Sequence, residues 1–132
     1  MRGLILTIKT DSPDAEIGLW QNNVRAEFYE WHAHKILAYT IHIKIKELLT
    51  NNGFRWNDIK GVVVFNGPGS FTGLRIGATV ANTLAYSLGI PVIGYNGDNW
   101  INDGINKLKS GVDNKIVIPK YGSDANITQP KK

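Results

Sequence analysis

The 132 residues contain no cysteine, which excludes disulfide staples and thiolate metal sites and is compatible with a reducing compartment. No stretch approaches the ~18 to 20 consecutive apolar residues of a membrane-spanning helix. The start, Met1-Arg2-Gly3-Leu4-Ile5-Leu6, carries one basic residue and a short apolar run without a small-residue cleavage site, so it reads as the first strand of a cytoplasmic protein rather than a leader. Repeats and low-complexity tracts are missing, and no break in composition divides the chain. A chain this long buries one modest core. Acidic residues are in the minority, eleven against fifteen basic ones, for a formal charge of +4. That balance permits a polyanionic partner, but the lysines are dispersed along the chain, as on a solvated surface.

What is present is concentrated in residues 62–77. Val62 to Phe65 is a short apolar run between Gly61 and Asn66, as expected of a strand covered on both faces of an α/β sheet. Gly67-Pro68-Gly69 forces a turn, and Ser70 or Thr72 can cap the helix that follows. The first turn of such a helix favours a carboxylate or phosphate. A P-loop is excluded because Gly73 is followed by Leu74 and Arg75 in place of Lys and Ser/Thr. The dinucleotide fingerprint fails too, since the last glycine comes one residue late. On spacing alone, a tight turn without a ligand and an anion-binding turn both remain open.

The rest of the chain reads as strands Leu4–Lys9, Glu16–Trp20 and Val24–Trp31, joined by the turn sequences Asp11-Ser12-Pro13-Asp14 and Gln21-Asn22-Asn23. A helix over 35–51, the strand at Val62, a second helix and a strand at Pro91–Tyr95 complete the order β-β-β-α-β-α-β, an α/β fold with a mixed five-stranded sheet. At about 100° per residue, Leu37, Ile41, Ile45, Leu48 and Leu49 share one side of the first helix, while Ile36, Tyr39 and Ile43 cluster on the other. A second grouped apolar patch marks a contact surface. In the second helix Gly73, Gly77, Ala81 and Ala85 recur every four residues, a ridge that lets another element approach closely. After Gly97, Asp98–Leu108 is expected to form a short amphipathic helix and Lys115–Pro119 a strand.

The string Gly67-Pro68-Gly69-Ser70-Phe71-Thr72-Gly73-Leu74-Arg75-Ile76-Gly77, with Ala78 to Gly94 after it and Leu4–Ile8 with Thr10 before it, resembles the TsaB (YeaZ) family over roughly residues 1–97. The resemblance implies a single actin-like lobe (the ribonuclease H-like, sugar-kinase-like fold) over 1–97. It further implies a reduced remnant of a second lobe over 98–118 and an extended tail over 119–132, similar to the Pro-x-Tyr end of that family. Familiar members have two lobes, whereas this length suits one. Family members partner TsaD in making threonylcarbamoyladenosine on tRNA, as scaffold and activator. By resemblance, the two helices form the TsaD-binding surface, with Ile36, Tyr39, Ile43, Gly73, Gly77 and Ala81 as the interface.

Catalytic chemistry is not expected in the chain itself. Actin-like ATPases place an aspartate where this sequence has Lys9, and a lysine cannot hold magnesium as a carboxylate does. The metal-binding histidine pair of TsaD proteins has no counterpart in Asn96-Gly97-Asp98-Asn99-Trp100. His34 and His42 are too far apart to ligate from adjacent helical turns. Ser70 does not sit in a Gly-x-Ser-x-Gly elbow, and Arg75 reads as a brace for the loop or a contact for an acidic group. The expectation is therefore a non-catalytic subunit without a cofactor or metal of its own, ATP and metal belonging to the TsaD partner. A TsaE-like ATPase, a second copy of the chain and tRNA are further partners. The alternative is a stand-alone nucleotide- or tRNA-binding module using the loop at Gly67–Gly73 and the basic surface.

Overall fold

Leu4, Ile5, Leu6 and Ile8 are all buried, as a strand covered on both faces requires. They form β1 (Leu4–Lys9), at the centre of a five-stranded sheet in this computed structural model, which describes residues 3–121. The sheet order is β3-β2-β1-β4-β5. β1 pairs antiparallel with β2 (Asp14–Gln21), which pairs antiparallel with β3 (Val24–His32). On its other side β1 runs parallel to β4 (Ile59–Phe65), and β4 parallel to β5 (Val92–Tyr95). The hairpin between β2 and β3 turns on Asn22 and Asn23, both at positive φ, the geometry that matches the twist of the strands it joins.

Alternation along β1 and β4 divides the core. Leu4, Leu6, Ile8, Val62 and Val64 point to one face, which α1 (Leu37–Asn51) and α2 (Phe71–Leu88) cover. Ile5, Val63, Phe65 and Ile93 point to the other, under Trp100, Ile105 and Leu108 of α3 (Trp100–Lys109). α1 is preceded by a 3-10 turn at His34–Ile36 and buries Leu37, Ile41, Ile45, Leu48 and Leu49, the stripe expected from its periodicity. Each such side chain contributes roughly 1.5–3 kcal/mol of hydrophobic stabilisation. Ser70 caps α2, its hydroxyl accepting from the Gly73 N–H at 3.3 Å, and Gly89 ends the helix in the left-handed region.

The C-terminal part departs from expectation. Residues 98–118, expected as the remnant of a second lobe, pack on this same sheet, with α3 as its third layer. Lys115–Pro119 is not a strand. Lys115 has φ of 66°, which breaks an extended run, and beside one backbone bond, from the Asn114 N–H to the Val92 carbonyl at 2.9 Å, side chains do the pairing. The Asp113 carboxylate accepts from the backbone N–H of Val92 at 3.1 Å, and the Asn114 side-chain oxygen accepts from that of Gly94 at 2.9 Å. Val117 is then clasped by the Asn82 amide, which accepts from its N–H at 2.8 Å and donates to its carbonyl at 3.1 Å. Residues 112–121 thus form a strap along the free edge of β5 and the end of α2. Of the tail expected over 119–132, residues 122–132 lie outside the described residues.

Candidate functional site

The glycine-rich loop leaves β4 at Asn66 and is packed by two other pieces of the chain. A side chain on Gly67 would strike the backbone carbonyl of Lys120 in the strap, and one on Gly69 the backbone of Asp11. The Ser70 N–H donates to the Asp11 carbonyl at 2.9 Å. Two backbone donors of the loop, those of Ser70 and Gly73, are therefore used internally. Pro68, Gly69, Ser70 and Thr72 are exposed. Phe71 lies against Tyr121 with ring centroids 4.5 Å apart, and the Arg75 guanidinium sits 5.4 Å from the Phe71 ring centre. Arg75 thus braces the loop's aromatic side chain, one of the two roles expected of it.

Beside the loop, the Lys9 ammonium is 2.7 Å from the Asp11 carboxylate and 4.7 Å from the centre of the Phe65 ring. Glu16 is opposite Lys9 in the strand register. Burial pushes the Glu16 carboxyl above its usual range, with Lys9 pulling it part of the way back and Glu30 and Asp11 adding to the rise. His32 meets Asp14 at 2.9 Å and stacks near His34, while His42 lies against Trp56. Among the described residues no three His, Cys, Asp or Glu side chains gather as a metal site would require.

The small-residue ridge of α2 faces inward. Gly73 lies under the backbone carbonyl of Thr10 and Gly77 under its hydroxyl, so that a side chain at either glycine would strike Thr10. Thr10 itself is fully buried, and its hydroxyl donates to the Gly73 carbonyl at 2.7 Å. Ala81 is also fully buried, in the core with Leu84 and Ala85. Gly73, Gly77 and Ala81, expected on the interface, therefore do not share a surface with Ile36, Tyr39 and Ile43. A spacing of four places residues on one face of a helix but does not say which neighbour occupies that face.

The expected α1 residues do reach solvent. Ile36 is 50%, Tyr39 79% and Ile43 56% exposed. Ile43 lines a hollow of about 510 Å³ between α1 and α2, and two more, of about 310 and 390 Å³, are lined by Lys35, Leu37 and Ala38, the chain neighbours of Ile36 and Tyr39. The α2 wall of the 390 Å³ hollow is made by Phe71, Thr72, Arg75, Ile76, Thr79 and Val80, and that of the 510 Å³ hollow by Thr83, Leu84, Ser87 and Leu88. Ile76, Thr79 and Val80 escaped the sequence reading, although the pair Ile76 and Val80 sits four residues apart one position before the glycine and alanine pairs. The face is apolar in its floor and open along its length.

Three comparisons with known proteins bear on this arrangement. A family model described as TsaD, tRNA N6-adenosine threonylcarbamoyltransferase, matches residues 32–98, just over half of the chain. The chain is 28% identical, over 135 aligned residues, to the tRNA threonylcarbamoyladenosine biosynthesis protein TsaB of Escherichia coli K12, covering 92% of this chain and 56% of that protein. It is 35% identical over 88 residues to the protein of the same name from Bacillus subtilis 168, covering 67% of this chain and 38% of the relative. Among solved structures, YeaZ from Pseudomonas aeruginosa superposes with a TM-score of 0.68 at 20% identity, over 83% of this chain and 50% of that one. The chain therefore spans about half the length of the relatives it matches. The superposition establishes the fold, and the single actin-like lobe expected from the glycine-rich string is the fold found.

Proposed function

This chain belongs to the TsaB (YeaZ) family, and from that premise we propose that it is a non-catalytic scaffold and activator subunit in making threonylcarbamoyladenosine on tRNA. In this reading it binds a TsaD-like partner through α1 and the outer wall of α2, and the partner holds ATP and metal. A TsaE-like ATPase and the tRNA join the assembly, and a second copy of the chain takes the same face when the partner is absent.

The observation that carries the proposal is the uncovered apolar face. Tyr39, four-fifths exposed, lies between exposed Ile36 and Ile43 and next along the chain to Ala38, which lines a hollow with Ile76 and Val80, while Ile43 lines a second hollow with Leu84 and Leu88. Exposed aromatic side chains beside apolar hollows are what protein interfaces use as anchors. The chemistry of the other sites agrees with a positioning role. Lys9 stands at the end of β1 where an ATPase of this fold has an aspartate, and its charge is engaged with Asp11. The glycines of the loop admit Asp11 and the strap, so close packing within the chain accounts for them.

Co-expression with a TsaD protein followed by size-exclusion chromatography and an assay of threonylcarbamoyladenosine formation tests the reading. A one-to-one complex and faster product formation are expected. Absence of a complex at tens of micromolar, or tight nucleotide binding by the isolated chain, would sink it, the latter in favour of a stand-alone nucleotide-binding module.

A further inference from the structure

Three Asn-Gly pairs occur in the chain, Asn52-Gly53, Asn66-Gly67 and Asn96-Gly97. Such a pair carries a reaction of its own, because a glycine without a Cβ lets its backbone nitrogen reach the side-chain carbonyl carbon of the asparagine before it. Ring closure needs an N–H free to lose its proton to solvent base, a side-chain amide free to turn, and a backbone that can follow the ring.

The fold withholds these from two of the pairs. At the end of α1 the Gly53 N–H donates to the Thr50 carbonyl at 3.1 Å, and the Asn52 side-chain amide donates to the Leu48 carbonyl at 2.8 Å. Nucleophile and electrophile are both tied down there. Asn66 is only 7% exposed. Its N–H donates to the Tyr95 carbonyl at 3.0 Å, its carbonyl accepts from the Lys120 N–H at 2.6 Å, and Gly67 lies against the Lys120 carbonyl. A ring at Asn66 would break the joint between loop, β5 and strap.

Asn96 and Gly97, between β5 and α3, carry none of these restraints. Both are exposed, and Gly97 stands in open space with φ of 87°. Among the described residues neither the Gly97 N–H nor the Asn96 side-chain amide has a hydrogen-bond partner. The link nevertheless matters to the third layer. The Gly97 carbonyl accepts from the Trp100 N–H at 3.3 Å where α3 begins, and Trp100 is buried with its ring 5.7 Å from that of Phe65.

We infer that Asn96-Gly97 is a site of spontaneous modification, at which Asn96 becomes aspartate and isoaspartate while Asn52 and Asn66 persist, and that the isoaspartate loosens the first turn of α3. The Gly97 nitrogen gives its proton to solvent base and bonds to the Asn96 side-chain carbonyl carbon. The bond from that carbon to the side-chain nitrogen breaks, and the nitrogen takes up a proton and leaves as ammonia. Water then opens the cyclic imide. Attack at the side-chain carbonyl gives aspartate, and attack at the main-chain carbonyl gives isoaspartate, whose chain runs through the side chain and is one backbone atom longer.

Incubation of the folded chain at mildly alkaline pH, followed by peptide mass spectrometry, tests the site. Trypsin places the three pairs on separate peptides, 47–55, 61–75 and 76–107. Conversion at Asn96 is expected to be at least about tenfold faster than at Asn52 or Asn66, where reaction waits on local opening. It is expected to give both products and to speed up with pH, and in urea the three rates are expected to converge. Equal conversion at the three sites in the folded chain, or no more conversion at Asn96 than at the glutamine of Asn96→Gln, overturns the site. Amide exchange at Trp100 to Asp103 is expected to be several-fold faster in the isoaspartyl form, with α1 amides unchanged. In Asn96→Asp, which has the charge without the extra backbone atom, it is expected to stay at the parent level. Equal exchange in the isoaspartyl form and in Asn96→Asp overturns the coupling to α3.

Discussion

The hydroxyl of Thr10 rests on the bare backbone of Gly77 and donates a 2.7 Å hydrogen bond to the carbonyl of Gly73, one turn earlier in α2. This contact sets how closely the helix approaches the end of β1. Gly77→Ala puts a methyl group into the space of that hydroxyl and is expected to cost about 1–3 kcal/mol, as overpacking of a close contact does. Thr10→Ala removes both the hydroxyl and its hydrogen bond, at about 1 kcal/mol. The double variant is expected to lose less than the sum, because the alanine at 77 then has room. Urea unfolding of the four proteins checks this, and strict additivity would mean that the two residues do not share the contact.

Tyr39 and Ile43 make no comparable contribution to folding. Tyr39→Ala and Ile43→Ser are expected to leave the urea midpoint within about 0.5 kcal/mol of the parent, as exposed positions do. Affinity for a TsaD protein, measured by calorimetry, is expected to fall at least tenfold for Tyr39→Ala if the aromatic side chain anchors the interface.

Glu16 sets a pH dependence. Burial raises its carboxyl above the usual value, so the folded chain holds the proton more tightly than the unfolded one. Stability is then lost as pH rises from the ordinary carboxylate range through the raised value. Glu16→Gln is expected to raise the unfolding midpoint near neutral pH and to make no difference at about pH 3, where the unfolded-state carboxyl is protonated too. An equal gain at both pH values would point to packing instead of ionisation.

The strap hangs on one side chain. Asn82→Ala removes both hydrogen bonds to Val117, and about 1–3 kcal/mol of local stability is expected to go with them. Faster amide exchange at Val117 and faster tryptic cleavage at Lys115 and Lys120, with α1 amides unchanged, are the readouts.

The layers of the fold were legible because burial repeats with the backbone. The continuous run Val62 to Phe65 announced a strand covered on both sides, and the spacing of Leu37, Ile41, Ile45, Leu48 and Leu49 gave the inner stripe of α1. The exposed trio Ile36, Tyr39 and Ile43 followed from the same arithmetic. The orientation of α2 was not legible. Its small residues wait on Thr10, more than sixty positions away in sequence, and periodicity carries no information about so distant a neighbour. The strap was misread as a strand for a related reason. Two of its bonds to β5 come from the side chains of Asp113 and Asn114 and one from the Asn114 backbone N–H to the Val92 carbonyl, and alternating apolar residues at 116 and 118 mimic a half-buried strand while both in fact face solvent.

Asp113 and Asn114 have a consequence for the rim of the sheet. β5 is its last strand on that side, and an open last strand is a template on which a stranger can add its own backbone. The two side chains occupy the outward N–H groups of Val92 and Gly94. At the opposite rim β3 carries Arg25, Glu27 and Glu30, charges that make a flat, sticky border costly. A chain ending at Gly111 would keep every strand and every helix described here and yet lose its guard, leaving β5 free to recruit copies of itself edge to edge.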